Sequence, residues 1–308
     1  MPVYILKRIL AGMLTMFILV TITFFLMHAI PGGPFSPAEE RNVPESVLKK
    51  VEERYGLNDP VYIQYFNYLK NLAHGDLGFS FKQPDRTVNE IIRIGFPVSA
   101  KVGAIAAVVS VVIGVPLGII SAVKRGKWMD WASMAFATIG ISVPGFVIAV
   151  LSMYLFAVKL KILPTYGLTS WRHYILPVGG LALGPIAYIA RLMRSSMLEI
   201  MRQDYIRTAR AKGVSEFWVI AKHAMKNAIT PVVTYLGPLV ASLLTGSFVV
   251  EKLFSIPGMG RYYVTGISDR DYSVTLGMTL FFGLFVVIAN IIVDILYALI
   301  DPRVKMDE

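Results

Sequence analysis

The chain has 308 residues, of which 55% are hydrophobic and only 16% charged, and its mean hydropathy is +0.61. Soluble domains carry about a quarter charged residues, so the deficit points to lipid as the solvent of a large part of the chain. The formal net charge of +10 does not imply nucleic acid, because no basic run is interleaved with aromatics for base stacking. In a membrane chain the excess Lys and Arg gather in cytoplasmic loops and at headgroup level. There is no cysteine, which excludes a disulfide framework, a thiolate nucleophile and a thiolate metal site. His28, His74, His173 and His223 are scattered and form no HExxH-like pair, so no metal site is expected.

Crossing the hydrocarbon core takes about 20 largely apolar residues as a helix. The stretches Ile9–Ile30, Val98–Val123, Ala132–Val158, Tyr174–Met193, Ala228–Val250 and Val274–Ile300 meet that length. The expected fold class is therefore an all-α polytopic membrane protein with six transmembrane helices. The first stretch follows Lys7 and Arg8 as a signal peptide would. Its apolar run is too long for one, and no small-x-small cleavage site precedes Pro31-Gly32-Gly33-Pro34, so it is read as an uncleaved span.

Orientation follows from the short loops. With the N-terminus inside, the inner segments hold Lys7, Arg8, Lys124, Arg125 and Lys127. To these the fourth-to-fifth loop adds Arg191, Arg194, Arg202, Arg207, Arg210, Lys212, Lys222 and Lys226, and the C-terminus Arg303 and Lys305. The short outer loops hold only Lys159, Lys161, Arg172, Lys252, Arg261 and Arg270. The positive-inside rule then places both termini in the cytoplasm.

The middle spans contain Pro116, Pro144-Gly145, Pro177, Pro185, Pro231 and Pro238. Each frees a carbonyl that a neighbouring helix or water must satisfy, and together they favour a bundle that lines a pathway or moves. Gly114/Gly118 and Gly180/Gly184 stand at helical spacing, where small residues let backbones approach. Asn290 and Asp294, one turn apart near the inner end of the last span, need a partner or a water-filled face. No acidic chain suggests an ion relay.

The segment from Pro31 to Pro97 has its own helical signals. Pro44-Glu45 opens a stretch with Val47, Leu48, Val51 and Tyr55 on one face, closed by Gly56. Asp59-Pro60 can cap a second helix bearing Ile63, Phe66, Leu69 and Leu72, ended near Gly75. Thr87-Val88-Asn89-Glu90 is a capping box before Ile91 and Ile92. These short helices are expected to lie on the membrane face or to form a platform for a partner.

Between the fourth and fifth spans, Glu199 to Asn227 reads as helix, turn, helix. Asp204 can cap the first helix, Gly213 supplies the left-handed position that stops it, and Ser215 can cap the second. Phe217, Trp218 and Ile220 make the second helix amphipathic. Ala209 and Ala211 beside the turn would admit another protein's backbone. A basic segment resting on anionic headgroups is the plainer reading, but a structured turn with small residues at its apex exceeds what lipid adhesion requires.

The segment Asp204-Tyr205-Ile206-Arg207-Thr208-Ala209-Arg210-Ala211-Lys212-Gly213 resembles the coupling loop of binding-protein-dependent ABC importer permeases, in the version of dipeptide, oligopeptide and nickel permeases. The family's pattern is Glu-Ala-Ala, three residues, Gly, and later Ile-x-Leu-Pro. Here the triplet is Arg207-Thr208-Ala209, and the later element, His223-Ala224-Met225-Lys226, lacks the proline. Ala209 and Gly213 are the positions that carry over.

The likeness extends along nearly the whole chain. It includes Tyr4-Ile5-Leu6-Lys7-Arg8-Ile9, Pro31-Gly32-Gly33-Pro34, Tyr55-Gly56-Leu57-Asn58-Asp59-Pro60 and Gly75-Asp76-Leu77-Gly78-Phe79-Ser80. Gly114-Val115-Pro116-Leu117-Gly118, Ile256-Pro257-Gly258-Met259-Gly260 and Asp301-Pro302-Arg303 follow. The Pro-Gly-Gly-Pro variant and the long outer loop are most similar to the first of the two permease subunits in oligopeptide importers.

The resemblance implies the fold of type I ABC importer permeases, with residues 1–30 as N-terminus and first span and 31–97 as an extracytoplasmic helical loop. Residues 98–308 would form a five-helix core carrying a cytoplasmic coupling loop at 194–227. It implies a second homologous permease, two ATPase subunits, an extracytoplasmic solute-binding protein, a peptide substrate and a bacterial or archaeal cytoplasmic membrane. The coupling contact is expected at Ala209, Arg210, Ala211, Lys212, Gly213, Val214, Ser215 and Glu216. The chain has no G-x-x-x-x-G-K-[ST] phosphate loop, so ATP and Mg belong to the partner ATPases and no cofactor or catalytic residue is expected here. Against this stand an ion-coupled secondary transporter, a membrane hydrolase and a non-transport scaffold. The first would have an inverted repeat, which is not evident, and the second a G-x-S-x-G or HExxH constellation, which the sequence lacks.

Overall fold

A computed structural model describes residues 2–29, 56–83 and 85–300, with side chains placed for 6–29, 56–83 and 85–292. Pro31-Gly32-Gly33-Pro34, the helix expected from Pro44 to Tyr55, Asp301-Pro302-Arg303 and the side chain of Asp294 lie outside these residues. The described chain is helical apart from turns and one isolated bridge, Phe79 to Thr87. It is a polytopic membrane protein: five helices are long and apolar enough to span a bilayer, six if one bent pair counts as a span.

Two compact units emerge, one from residues 1–98 and 257–291, the other from 99–256 and 292–308. In the first, α1 (Pro2–Ala29) offers Val20, Phe24 and Met27 to Tyr65, Phe81, Tyr272, Leu276 and Leu280. Tyr65 belongs to α2 (Val61–Ala73) and accepts or donates a 2.7 Å hydrogen bond with Thr21. The buried stripe of α2 is Tyr65 with Tyr68, Leu69 and Leu72, so Phe66 and Ile63, expected on that face, point outward. Asp59 does not cap α2, since Pro60 holds the N-cap position without a side-chain bond.

The capping box at Thr87 does form on its threonine side: the Glu90 N–H donates to Thr87 Oγ1 over 3.1 Å. The helix it opens does not stop on the membrane face, however. It continues through Pro97 as α3 (Val88–Val123), 36 residues or about 54 Å at 1.5 Å per residue, well beyond a hydrocarbon core of about 30 Å. Its first turns pack Val88, Ile91 and Ile92 on Met259, Val274 and Met278. The last two residues come from α13 (Tyr272–Ile300), and Met259 opens α12 (Met259–Ser268). Asp271 holds the start of α13. Its carboxylate accepts the N–H groups of Val274 (3.2 Å), Phe81 (3.1 Å) and Lys82 (3.3 Å) and the Ser80 hydroxyl.

The second unit is built on α6 (Arg172–Ile200), one helix despite Pro177 and Pro185. The expected single span Ala132–Val158 is instead two helices, α4 (Trp128–Ser142) and α5 (Gly145–Ser152), bent by 103°. The cause is local: the residue before a proline is driven out of the helical region, and Val143 takes φ −95°, ψ 125°. From Met153 to Lys159 the second piece widens into a π-helical turn. Backbones approach where side chains are smallest. A Cβ on Gly145 would lie 2.7 Å from the Gly180 carbonyl oxygen, and one on Gly118 2.6 Å from that of Ala190. Gly114 and Gly180 are as tightly placed, while Gly184 makes only an ordinary contact. The fifth span is α10 (Thr230–Leu244) followed, after a turn at Gly246 (φ +86°), by α11 (Phe248–Leu253).

Candidate coupling loop

Below α6 the chain turns at Met201–Gln203 into α7 (Asp204–Ala211). Asp204 is inside the first turn rather than at the N-cap, which is Gln203 and makes no side-chain cap. There its negative charge meets the positive end of the helix dipole, and it lies 3.5 Å from Arg207, both groups exposed. At the far end the expected stop signal is present. Gly213 has φ +79°, its N–H donates to the Arg210 carbonyl (2.9 Å), and the Val214 N–H reaches back to the Ala209 carbonyl (3.2 Å). This pair of bonds is the Schellman closure, which also brings the residue after the glycine onto the helix. Val214 accordingly packs on the core.

Ser215 occupies the next N-cap, with extended backbone but no side-chain cap. The single α-helical turn it opens, α8 (Glu216–Trp218), passes into a π-helical turn at Val219–Ala224 and then α9 (Met225–Ala228). The wider turn places Val219 and Ala224 inward, both fully buried.

The loop therefore has two faces. Ile206, Ala209, Val219 and Ala224 join Met193 and Met197 of α6 in one continuous core. Arg210, Ala211, Lys212, Gly213, Ser215 and Glu216 are exposed. Of the two alanines expected to admit a partner backbone, Ala209 is committed to the chain's own core and only Ala211 is open. Phe217 and Trp218, expected to anchor an apolar face, project outward as an edge-to-face pair with centroids 5.4 Å apart.

An ion pair spans the turn. The Arg210 guanidinium donates Nε–H to Glu216 Oε2 (3.0 Å) and an Nη2 hydrogen to Oε1 (2.7 Å). That bidentate bond holds the Glu216 carboxyl below its ordinary range and raises Arg210, with burial opposing both. Sequence reading names both residues without pairing them. Opposite charges flanking a helix-stopping glycine are the signal that could have done so. Across the loop, Asn227 Nδ2 donates to Tyr205 Oη (2.9 Å), tying the first helix to the last.

A multi-pass helical membrane protein with a preorganised, charged turn standing outside its spans is the class that fold and loop define. Residues 114–306 match the family described as binding-protein-dependent transport system inner membrane component, and residues 1–101 match its N-terminal membrane component. The chain belongs to that family.

Among curated relatives it is 49% identical over 303 residues to the dipeptide transport system permease protein DppB of Bacillus subtilis, covering 98% of both chains. It is 46% identical over 304 residues to the oligopeptide transport system permease protein OppB of Salmonella typhimurium, covering 98% of this chain and 99% of the other. The glutathione transport system permease protein GsiC of Escherichia coli is 40% identical over 302 residues, 98% of each. Two solved structures of the inward-facing MetNI methionine ABC transporter share the fold at 19% identity. Their TM-scores are 0.56 and 0.51, covering 68% and 66% of this chain and 96% and 95% of theirs.

Proposed function

We propose that this chain is the first of two homologous permease subunits of an ATP-driven oligopeptide importer, with a type I six-span fold. It would work with two ATPase subunits and an extracytoplasmic solute-binding protein in a bacterial or archaeal cytoplasmic membrane. The observation that carries the reading is full-length similarity to peptide permeases. A dipeptide substrate is the second reading, favoured by the 49% identity to DppB.

In the mechanism, residues 209–216 dock on one ATPase. Arg210, Ala211, Lys212, Gly213, Ser215 and Glu216 present the contact, while Ala209 and Val214 hold the turn to the bundle. A turn anchored to a packed core has few alternative arrangements, so ATPase closure would move the attached helices rather than bend the loop. ATP and Mg remain with the ATPases.

The test is reconstitution of the complete complex in vesicles, with labelled dipeptide and longer peptides offered separately. Uptake that needs ATP and prefers longer peptides is expected. Uptake driven by an ion gradient without the ATPases would refute the reading in favour of a secondary transporter. Topology is checked in the same vesicles. Because the chain has no cysteine, Gly126→Cys should be labelled only from the cytoplasmic side and Thr169→Cys only from outside.

A further inference from the structure

The inner ends of three helices meet at a buried carboxylate outside the loop. Asp130, in the first turn of α4, has a side chain only 7% exposed. The Arg194 guanidinium of α6 grips it with both arms, Nε to Oδ1 at 2.7 Å and Nη2 to Oδ2 at 2.8 Å. The remaining acceptor sites are filled by the Ser121 hydroxyl from the last turns of α3 and by the Gly126 N–H (2.9 Å) from the α3–α4 turn.

A buried ion pair is weak evidence for stability, because desolvation offsets most of its attraction. What this one fixes is geometry. Two planar groups joined by parallel hydrogen bonds allow little relative rotation, and the two extra donors bring the third helix into the same constraint. Arg194 also stands one residue from Met193 and three from Met197, which are fully buried in the core that receives Ile206, Val219 and Ala224 of the loop.

We infer that Asp130 and Arg194 are a positioning pair for energy coupling: they lock the inner ends of α3, α4 and α6 to the exposed loop, so that loop displacement moves the three helices as one body. The inference rests on the permease reading for its transport consequence, but the mechanical tie stands without it.

Two measurements test it. In the reconstituted complex, ATP hydrolysed per peptide imported is determined for Asp130→Asn, Arg194→Lys and Ser121→Ala, each normalised to assembled complex. The ratio should rise about fivefold or more for Asp130→Asn, less for Arg194→Lys, which keeps the charge but loses the fork, and least for Ser121→Ala. An unchanged ratio in all three, with only the amount or thermal stability of the complex reduced, overturns the inference. Should Asp130→Asn fail to assemble, the other two variants decide by the same ratio.

The second measurement is independent of transport. Spin labels on Lys212→Cys and Trp128→Cys, both at exposed positions, should give a narrow distance distribution that broadens when Asp130→Asn is added. Equal widths would overturn the tie. A wild-type complex that imports no peptide would refute the permease reading alone, and the label widths would still decide the pair.

Discussion

Replacing Gly213 isolates what a left-handed residue contributes at the apex of the loop. Its φ is +79°, and a Cβ built there meets no atom within 4 Å, so substitution adds backbone strain without a steric clash inside the chain. For an ordinary L-residue the left-handed region costs about 1–2 kcal/mol. A cost of that size multiplies the open fraction of the turn about 5–30-fold. Asparagine tolerates the region best and a β-branched residue worst, so the expected order of damage is Gly213→Asn, then Ala, then Val. Hydrogen exchange at the amides of residues 213 and 214, whose bonds to Arg210 and Ala209 close the turn, reads the opening directly. Transport and ATPase rates of the reconstituted complex read the consequence, expected for Gly213→Val as ATP hydrolysis without import at normal membrane insertion. Exchange in Gly213→Val equal to wild type would refute the strained-turn argument. Transport lost as completely in Gly213→Asn as in Gly213→Val would refute the backbone explanation and point to a side-chain clash with the docking partner.

The Arg210–Glu216 bridge predicts a pH response of known sign. Because Glu216 is depressed in the folded loop, its contribution is complete above the ordinary glutamate range and lost as pH falls through the lowered value. A spin label at Lys212→Cys should therefore keep constant mobility from neutral into mildly acid conditions and loosen only below the ordinary glutamate range. Mobility that already changes near neutral pH would mean the pair does not hold the turn. Asp271→Ala removes an acceptor from three backbone N–H groups and a hydroxyl and should cost about 3 kcal/mol, measured as chemical or thermal unfolding in detergent; a cost near zero would show that water or other partners replace the carboxylate. Gly103→Ala would place a Cβ 2.0 Å from the Leu243 carbonyl oxygen, in backbone that cannot give way. It should cost about 3 kcal/mol and sharply lower the yield of folded protein, and a normal yield would mean that α3 and α10 can separate there.

The spans were legible because length and hydropathy respond to the bilayer alone, and each expected stretch has a helix within it. What was not legible depends on tertiary partners. Ala132–Val158 carries no charged residue, and Pro144 marked a disturbance but neither its size of 103° nor the close approach of Gly145 to Gly180 beside the break. The run from Thr87 through Pro97 carried helix-start and helix-disturbing signals in succession, and packing of Val88, Ile91 and Ile92 kept it one helix. In the loop, Gly213 was readable because left-handed backbone has few tenants. The faces of Phe217 and Trp218 were not, because the π-helical turn after Trp218 shifts the register on which a 3.6-residue face is counted, and Ala209 was not because it turns with Ile206 onto the chain's own core.

Inside the spans many of the buried places go to small residues. Within the second unit the most deeply buried positions include Ala106, Ala182, Ala187 and Ala190, all fully enclosed. Val112, Ile139 and Leu151 of neighbouring helices remain about 60% exposed, at 64%, 60% and 59%. In water that arrangement would be unstable, since burial of large apolar side chains drives folding. In lipid there is no such drive between helices, and close packing of small residues takes its place. A face chosen by where the large hydrophobic residues fall therefore tends to select the surface offered to lipid or to a second subunit. Past Met201, where α6 has left off and the candidate coupling loop begins, large and small residues share the buried places, Ile206 and Val219 beside Ala209 and Ala224.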